Sequence, residues 1–349
     1  MFISRKTLLW SRPISVTIAN STLLYRNAFE GSLIADALAM PVHWYYDREA
    51  LDRDYGAIDR FHAPTNPHPD SILWRSTYAP TRADLNILHD QAEYWGEKGI
   101  HYHQFLKAGE NTLNFQLAAE LYSWVLGRGA YDAPAWLDHY IECMCTPGWH
   151  RDTYVEEVHR TFFQNLGRGK PLQLCGAKDL HIGALASVPA LLAALAVVAP
   201  ERESEWEQTV LRHVQLTHRH PYAATAARQL VRLLTGMARN GRTVSEVLLT
   251  LDHDPFPLSS FEQWRERPDR EVIGQILTPA CYLPDAMTAA VYLAWKYEAD
   301  PAAGLRANAE VGGDNCHRGA VVGSLLAMQN GPPGALRGNF PTNLIVDFS

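Results

Sequence analysis

The chain has 349 residues, 47% of them hydrophobic, and a formal net charge of -7. This length can bury a large core, in one big domain or two ordinary ones. A negative net charge does not indicate a nucleic-acid-binding protein, although local basic residues can still bind an acidic ligand. Five cysteines, an odd number in a long chain, predict a reducing, intracellular compartment rather than a disulfide scaffold.

The N-terminal residues 1–24 predict an extension that carries no function. No acid precedes Glu30, and the basic residues with several Ser and Thr are typical of an organelle transit peptide. An unstructured extension has the same composition. We therefore expect a folded domain over residues 25–335, a C-terminal tail over 336–349, and a cytoplasmic location with a mitochondrial one as the alternative.

Apolar residues recur at spacings of three and four along most of the chain, which predicts helices. Thr243 and Glu246 have the spacing of a capping box. Strand patterns are scarce, and residues 52–81 are rich in Pro, His, Asp and Asn, which predicts a long loop. No repeat or linker divides the chain, so we predict one all-α domain. The main predicted helices cover residues 116–129, 136–145, 152–169, 203–218, 224–241, 243–251, 285–300 and 319–331.

Three segments, residues 31–40, 181–196 and 319–328, are apolar and rich in small side chains. Small side chains let helix axes approach closely, so these segments predict a tightly packed central bundle whose capping loops meet at one end. Residues 182–200 carry no charge over a length near that of a membrane span. Their alanine content and Pro189 favour a buried core helix and no membrane contact.

Polar residues flank these helices at four places, and the first two involve carboxylates. Asp36 lies on an apolar helix, where a carboxylate is costly unless it is paired, hydrogen-bonded or metal-bound. His43 follows the expected end of that helix. Glu110 and Asn111 precede another helix, where their oxygens suit either a cap or a hard cation. His101 and His103 are two residues apart and so would not share a helix face. They are predicted to be loop or surface residues.

The third place is the loop of residues 176–183, whose free backbone N–H groups could face a phosphate. The segment 150–159 offers further residues for an anionic ligand, or an ordinary solvated helix face. His218 and His220 would diverge on a helix, which favours packing or substrate contact over joint metal ligation.

The fourth place is the segment "EVGGDNCHRGAVVGS", residues 310–324. Gly312 and Gly313 permit a tight turn before a helix. Asp314 lies near the helix start, and Cys316, His317 and Arg318 follow it. One interpretation is that Asp314 only caps the helix. The presence of Cys, His and Arg at the same turn favours a functional site instead.

In this order the four motifs resemble those of the ADP-ribosylglycohydrolase superfamily, and they are most similar to the branch that contains the J-type crystallins. The resemblance runs from Tyr25 to Gly331. Residues 36–39 match the Asp-Ala-Leu part of the first motif, with His43 at a glutamate position. Residues 109–112 align with a Thr-Asp-Asp-Thr metal motif. Residues 310–317 align with the closing motif, in which Asp314 is kept while a second aspartate and a threonine are replaced.

This resemblance implies a single compact multi-helix bundle that hydrolyses ribosyl glycosidic bonds of ADP-ribose-like ligands, free or linked to a macromolecule. The family holds paired Mg²⁺ ions with oxygen ligands. Here the aligned positions supply Glu110 and Asp314 as one possible site, with Asn111 and the softer Cys316 as weaker candidates. Mg²⁺ requires near-octahedral oxygen coordination, so we expect one or both ions to be lost.

The resemblance also implies roles for individual residues. Asp314 and Glu110 would activate water or hold one metal, Asp36 would orient the site, and His43 and His317 would transfer protons. The substrate-binding candidates are Asn111, Gly176, His181, Gly183, His218, Gly312, Gly313, Asn315 and Arg318.

Two alternatives stay open at this point. The chain could be a non-catalytic crystallin-like or ADP-ribose-binding protein on the same fold. The replaced positions carry Glu, Asn, Cys and His, all of which can take part in catalysis. This favours a functional site with altered chemistry over a site that has lost its activity. The second alternative is a zinc hydrolase that uses His43, Cys316 and His317.

Overall fold

Residues 14–251 and 255–340 are described by the computed structural model of this chain. Within these ranges the protein is all helical, with short 3₁₀ turns and isolated bridges but no strand, so the all-α prediction is confirmed. The helices are α1 (Ile14–Ala39), α2 (Arg48–Tyr55), α3 (Leu113–Arg128), α4 (Ala133–Cys145), α5 (Glu157–Gly167), α6 (Val188–Val198), α7 (Glu203–Thr217), α8 (Pro221–Asn240), α9 (Val244–Leu248), α10 (Leu258–Trp264), α11 (Asp269–Glu271), α12 (Asp285–Lys296), α13 (Pro301–Glu310), α14 (Asn315–Ala327) and α15 (Gly334–Arg337).

The centre of the bundle is the close crossing of α1 and α14. A Cβ on Gly31 would lie 2.4 Å from the Gly323 carbonyl oxygen, and a Cβ on Gly323 would lie 2.2 Å from that of Gly31. Only glycine permits such an approach of two backbones. The crossing fixes where α14 begins, and its first residues carry the motif that includes Asp314.

The apolar segment after residue 181 forms a buried 3₁₀ turn and then α6, whose residues from Val188 to Ala196 are all buried. No single helix among the described residues has the length and composition of a membrane span. One pair, Ile182–Val198 with Pro200–Thr217, meets that test only as two segments bent by 118°. The core-helix interpretation accounts for the burial.

The predicted helix over 152–169 begins only at Glu157, because the residues before it have other partners. The backbone N–H groups of Thr153 and Tyr154 both donate to the Tyr102 carbonyl. Residues 152–156 therefore form a loop that projects Asp152 and Glu156 inward. The capping box of Thr243 and Glu246 forms as predicted.

The long loop extends from α2 to the start of α3, with only short 3₁₀ turns inside it. Three of its histidines, His68, His101 and His103, are buried at 3% exposure or less. The expectation that His101 and His103 are loop or surface residues is thus wrong about the surface. Their ring nitrogens hydrogen-bond to backbone carbonyls and neighbouring side chains, which offsets the cost of burial.

The ends of the chain extend the helical body in both directions. Residues 1–13 of the predicted extension lie outside the described residues, whereas residues 14–24 are the first part of α1. At the other end, Phe340 is buried and its ring lies 5.9 Å from that of Phe61. The rest of the predicted tail, residues 341–349, lies outside the described residues.

Candidate functional site

A double-glycine turn sets the position of the site. Gly312 and Gly313 have φ of 70° and 67°. A Cβ on Gly312 would lie 2.4 Å from the Tyr45 carbonyl oxygen, and one on Gly313 would lie 2.1 Å from that of Pro279. The turn is therefore clamped between two backbone segments, and it delivers Asp314 to the start of α14.

Arg318 holds this turn in place. Its guanidinium donates four hydrogen bonds, to the side chain and carbonyl of Asn308 and to the carbonyls of Gly312 and Pro279. Asn315 likewise donates to two backbone carbonyls. Arg318 was expected to face a phosphate, but its donors are used inside the protein, so its role is to position the turn.

Three buried side chains meet at Asp314. Its Oδ1 lies 2.7 Å from His317 Nδ1 and 2.9 Å from His43 Nε2. The other ring nitrogen of His317 lies 3.1 Å from Glu156 Oε1. His317 is therefore held between two carboxylates, one from the glycine turn and one from the loop before α5. This brings together three of the residues predicted from sequence and adds Glu156.

The hydrogen-bonded line continues beyond His43. His43 Nδ1 lies 2.8 Å from His103 Nε2, and His103 Nδ1 lies 2.6 Å from Asp152 Oδ1. Asp152 also accepts a hydrogen bond from the Leu113 N–H at the start of α3. Neutral histidine donates through one nitrogen and accepts through the other, so this line fixes the ring orientations.

Burial and neighbouring charges act on these groups in opposite directions. Burial alone would raise the pKa of Asp314, but His317, His181 and the hydrogen bonds it accepts hold that pKa well below its usual range. Burial alone would lower the pKa of His317, but the carboxylates of Asp314 and Glu156 raise it well above 6.5. Burial lowers the pKa of His43 to about 3. Near neutral pH the site thus contains a carboxylate, an imidazolium and a neutral imidazole.

His181 connects this cluster to solvent. Its Nδ1 accepts a hydrogen bond from the Gly183 N–H at 2.9 Å, so in the neutral ring Nε2 carries the proton. Nε2 lies 3.4 Å from Asp314 Oδ2 and 3.7 Å from Glu156 Oε2. Asp314 Oδ2 is buried and accepts no hydrogen bond. The site therefore holds an N–H donor and an unengaged carboxylate oxygen side by side.

A cleft of about 490 Å³ opens above His181 and Glu156. Trp44 forms one wall with φ of 60°, an uncommon conformation for a residue with a side chain, and its ring stacks 3.8 Å from that of His43. Arg75 is the only Arg or Lys among the lining residues of this cleft. The cleft is lined by Trp44, Tyr46, Asp70, Ile72, Arg75, Tyr102, Tyr154, Glu156, Glu157, Asp179, His181, Cys281 and Tyr282.

Asp36 ties α1 to the start of α3. Its two oxygens accept hydrogen bonds from the Asn111 side chain and from both the N–H and the hydroxyl of Thr112, each at 2.8 Å. Cys316 points its Sγ at the Asp36 carbonyl, and burial raises the pKa of its thiol well above the usual value. The motifs near residues 36, 111 and 316 do converge. The carboxylate of Asp36 is fully engaged there, whereas the buried Oδ1 of Asn111 has no hydrogen-bond partner.

Glu110 lies apart from this convergence. Its carboxylate forms an ion pair with Arg151 at 2.6 Å and accepts from the Lys107 N–H, in a half-exposed position. It has no contact with Asp314 or the histidines. The expectation that Glu110 activates water at the same centre as Asp314 is therefore corrected by its surface ion pair.

The loop of residues 176–183 positions His181 rather than presenting free N–H groups. A Cβ on Gly176 would lie 2.6 Å from the Leu216 carbonyl oxygen, and the Ala177 N–H donates to Thr217. His218 is buried next to a small cavity of about 50 Å³ that Gly183 also lines. Its Nε2 has no hydrogen-bond partner, and burial lowers its pKa to about 3.

Three groups of side chains in this region could hold a metal ion. They are His43 with Asp314 and His317, Glu156 with His181 and His317, and His181 with Cys281 and Asp314. The last two groups use His181 Nε2, which is the protonated nitrogen in the neutral ring. The first group offers one carboxylate and two imidazoles, whereas Mg²⁺ prefers an all-oxygen octahedron. These donors do not fit Mg²⁺, and Cys316 takes no part in them.

The described residues form an all-helical bundle with a buried Asp–His centre below an aromatic cleft, which is the architecture of a helical domain with a ligand site. The comparisons with known proteins name its family. The family model described as ADP-ribosylglycohydrolase matches residues 21–337. The chain therefore belongs to the ADP-ribosylglycohydrolase family, whose membership indicates a glycosyl hydrolase.

One solved structure, titled "ADP-ribosylglycohydrolase-related protein complex", is similar with a TM-score of 0.57 and 19% sequence identity. The match covers 93% of this chain and 94% of that chain, and it shows the shared fold. A comparison with curated protein sequences gives no match. The closer similarity to the crystallin-like branch stays a prediction.

Sequence reasoning missed the inward position of Glu156, His103 and Asp152. Asp152 falls in the segment 150–159, which the sequence predicts to be an anion site or a solvated helix face, and helical spacing places Glu156 inside the helix predicted over 152–169. The aromatic residues 43–46, which follow Pro41, are the feature of the sequence that indicates the cleft wall formed by Trp44.

Proposed function

We propose that this protein hydrolyses a ribosyl N- or O-glycosidic bond of an ADP-ribose-like ligand, and that its site does so without the family's paired Mg²⁺. The observation that carries this proposal is the contact of His181 with both Asp314 and Glu156 at the base of the cleft. These three groups can supply a general base that later returns its proton, a hydrogen-bond donor and a fixed negative charge within one sugar's reach.

The bond breaks through a transition state in which positive charge develops on the sugar ring. Asp314 is anionic and excluded from water, so it stabilises that charge more than a solvated carboxylate would. Glu156 reaches the cleft and accepts a proton from the attacking water. His181 donates a hydrogen bond from Nε2 to the departing nitrogen or oxygen, and Glu156 passes the proton taken from water to that leaving atom. The C1′ bond to the leaving group breaks, and a C1′ bond to the water oxygen forms.

The remaining histidines act behind these groups. His317 is cationic and keeps Asp314 and Glu156 ionised, since its protonation lowers the pKa of each. His43 holds Asp314 in place from the other side. Both are positioning residues, because neither lines the cleft and both contact Asp314.

The test measures release of ADP-ribose from an ADP-ribosylated peptide and from small ribosides, in EDTA and in added Mg²⁺. Asp314→Asn and Glu156→Gln should each lower kcat by at least about 100-fold, in the range of lost acid–base and electrostatic catalysis. Glu110→Gln, on the surface, is the matched control and should keep the parental rate. Turnover by Asp314→Asn at the parental rate, or activity found only with Mg²⁺, would contradict the proposal.

The non-catalytic alternative also has an observation in its favour. Asn111 and Thr112 engage both oxygens of Asp36, so this carboxylate serves structure here. Calorimetry with ADP-ribose separates the two proposals. Binding by the parental protein with no turnover of any riboside would favour a binding protein over a hydrolase.

A further inference from the structure

A second cluster of metal-ligating side chains lies on the outer faces of α3 and α4. His139 and Cys143 are four residues apart on α4, so they share one face of that helix. Glu120 reaches them from α3. Ligand atoms of the three residues all lie within 4.8 Å of one another. None of the three lines the cleft or contacts the Asp314 cluster.

The distances centre on one ring nitrogen. His139 Nε2 lies 2.7 Å from Glu120 Oε1 and 3.5 Å from Cys143 Sγ. A tetrahedral Zn²⁺ with ordinary bond lengths separates a ligating nitrogen and sulfur by about 3.5 Å, and a nitrogen and oxygen by about 3.4 Å. The observed distance between His139 Nε2 and Cys143 Sγ already equals the separation that a tetrahedral Zn²⁺ site requires. Glu120 needs to withdraw by about 0.7 Å, which its partly exposed side chain allows.

The other nitrogen of the same ring is also occupied. His139 Nδ1 lies 3.4 Å from Glu142 Oε2. The Nε2 proton is donated to Glu120, since a carboxylate can only accept. When a metal takes Nε2, that proton moves to Nδ1, where Glu142 can accept it, the arrangement usual around ligating histidines. His139 is about a quarter exposed and Cys143 lies beneath it, so an ion can enter from solvent.

We propose that Glu120, His139 and Cys143 bind a thiophilic divalent transition-metal ion, Zn²⁺ foremost, with water in the fourth position. Imidazole, thiolate and carboxylate together select Zn²⁺ over Mg²⁺ or Ca²⁺. Binding releases the thiol proton of Cys143. The ion joins α3 to α4, and the start of α3 carries Asn114, whose side-chain amide donates to Glu156 Oε1 at 2.7 Å.

The test is titration of the purified full chain with Zn²⁺ against a chromophoric chelator, and with Co²⁺ followed by its thiolate charge-transfer absorption. The parental chain should bind one equivalent with that absorption. Cys143→Ser should lose the absorption, and Cys143→Ser and His139→Ala should each weaken Zn²⁺ binding at least about 100-fold. Glu142→Gln should weaken it by up to about 10-fold, the low end for a residue behind a ligand.

Two cysteine variants serve as matched controls. Cys145→Ser changes the next cysteine on α4, and Cys281→Ser removes a thiol within 4.8 Å of Asp314. Both variants should bind Zn²⁺ like the parental chain. Circular dichroism of the metal-free variants checks that each is folded. Unchanged Zn²⁺ affinity in both Cys143→Ser and His139→Ala, or a thiolate band lost only in Cys281→Ser, would overturn the proposal.

Discussion

His317 and Asp314 lie three residues apart at the start of α14, with His317 Nδ1 2.7 Å from Asp314 Oδ1 and both side chains 1% exposed. A buried ion pair is stable only when its remaining polar atoms have partners. Glu156 supplies one to His317 Nε2 and His43 supplies one to Asp314 Oδ1, while Asp314 Oδ2 stays without a hydrogen bond. The pair therefore sets the ionisation of the whole site.

Replacing His317 should change the pH dependence of the reaction. In His317→Gln the cation between Asp314 and Glu156 is lost, so the pKa of each carboxyl rises. We expect kcat to fall by about 100-fold and the acid limb of the pH–rate profile to move to higher pH. The profile is measured for the parental enzyme, His317→Gln and Arg60→Gln, which removes an exposed surface cation as the control. An acid limb that stays in place with His317→Gln would show that the imidazolium does not act on these carboxylates.

Gly313→Ala should be much more destabilising than Gly129→Ala. Both glycines have φ near +68°, at 67° and 69°, but a Cβ on Gly313 meets the Pro279 carbonyl while one on Gly129 meets nothing within 4 Å. The backbone cost alone is about 1–2 kcal/mol, and overpacking adds about 1–3 kcal/mol. Urea unfolding of the two variants measures the difference. Equal losses would mean that the turn can move away from Pro279.

Asp36→Asn tests whether this carboxylate is structural. The amide places a donor against the donors of Asn111 and Thr112, which should lower the free energy of unfolding by about 1–3 kcal/mol. Asp59→Asn, at an exposed ion pair with Arg60, should change it by less than about 0.5 kcal/mol. Both are read from chemical denaturation. A parental stability for Asp36→Asn would assign the side chain to function instead.

Buried neutral histidines should make the protein labile in acid. Burial lowers the pKa of each of five histidines to about 3 or 4, against 6.5 in the unfolded chain: His43, His68, His159, His213 and His218. Below pH 6.5 the unfolded chain binds more protons, so stability is complete above that pH and falls towards pH 4. Each histidine contributes up to about 1.4 kcal/mol per pH unit.

A single replacement isolates one of these contributions. His213 hydrogen-bonds Tyr131 and Ser187, remote from Asp314. His213→Gln should reduce the slope of unfolding free energy against pH between 6.5 and 4, measured by urea unfolding at several pH values. An unchanged slope would mean that His213 does not stay neutral in the folded protein.

Sequence patterns determined the all-α class, the capping box at Thr243 and the small-residue helices. These features depend on local spacing and on side-chain volume, which are properties of the chain itself. The close approach of Gly31 and Gly323 follows from the same small residues, and it places the glycine turn before Asp314 at one end of the bundle.

Only the tertiary structure decided which polar side chains face one another. Asp314, His43 and His317 meet Glu156 and His181 across separations of more than a hundred residues, and no local spacing encodes such contacts. Glu110 and Arg318 carry the right chemistry in the right motifs, yet Arg151 and the backbone of the glycine turn engage them. A carboxylate or guanidinium adopts the partner that burial brings within hydrogen-bond distance, so its role is fixed only when the chain is folded.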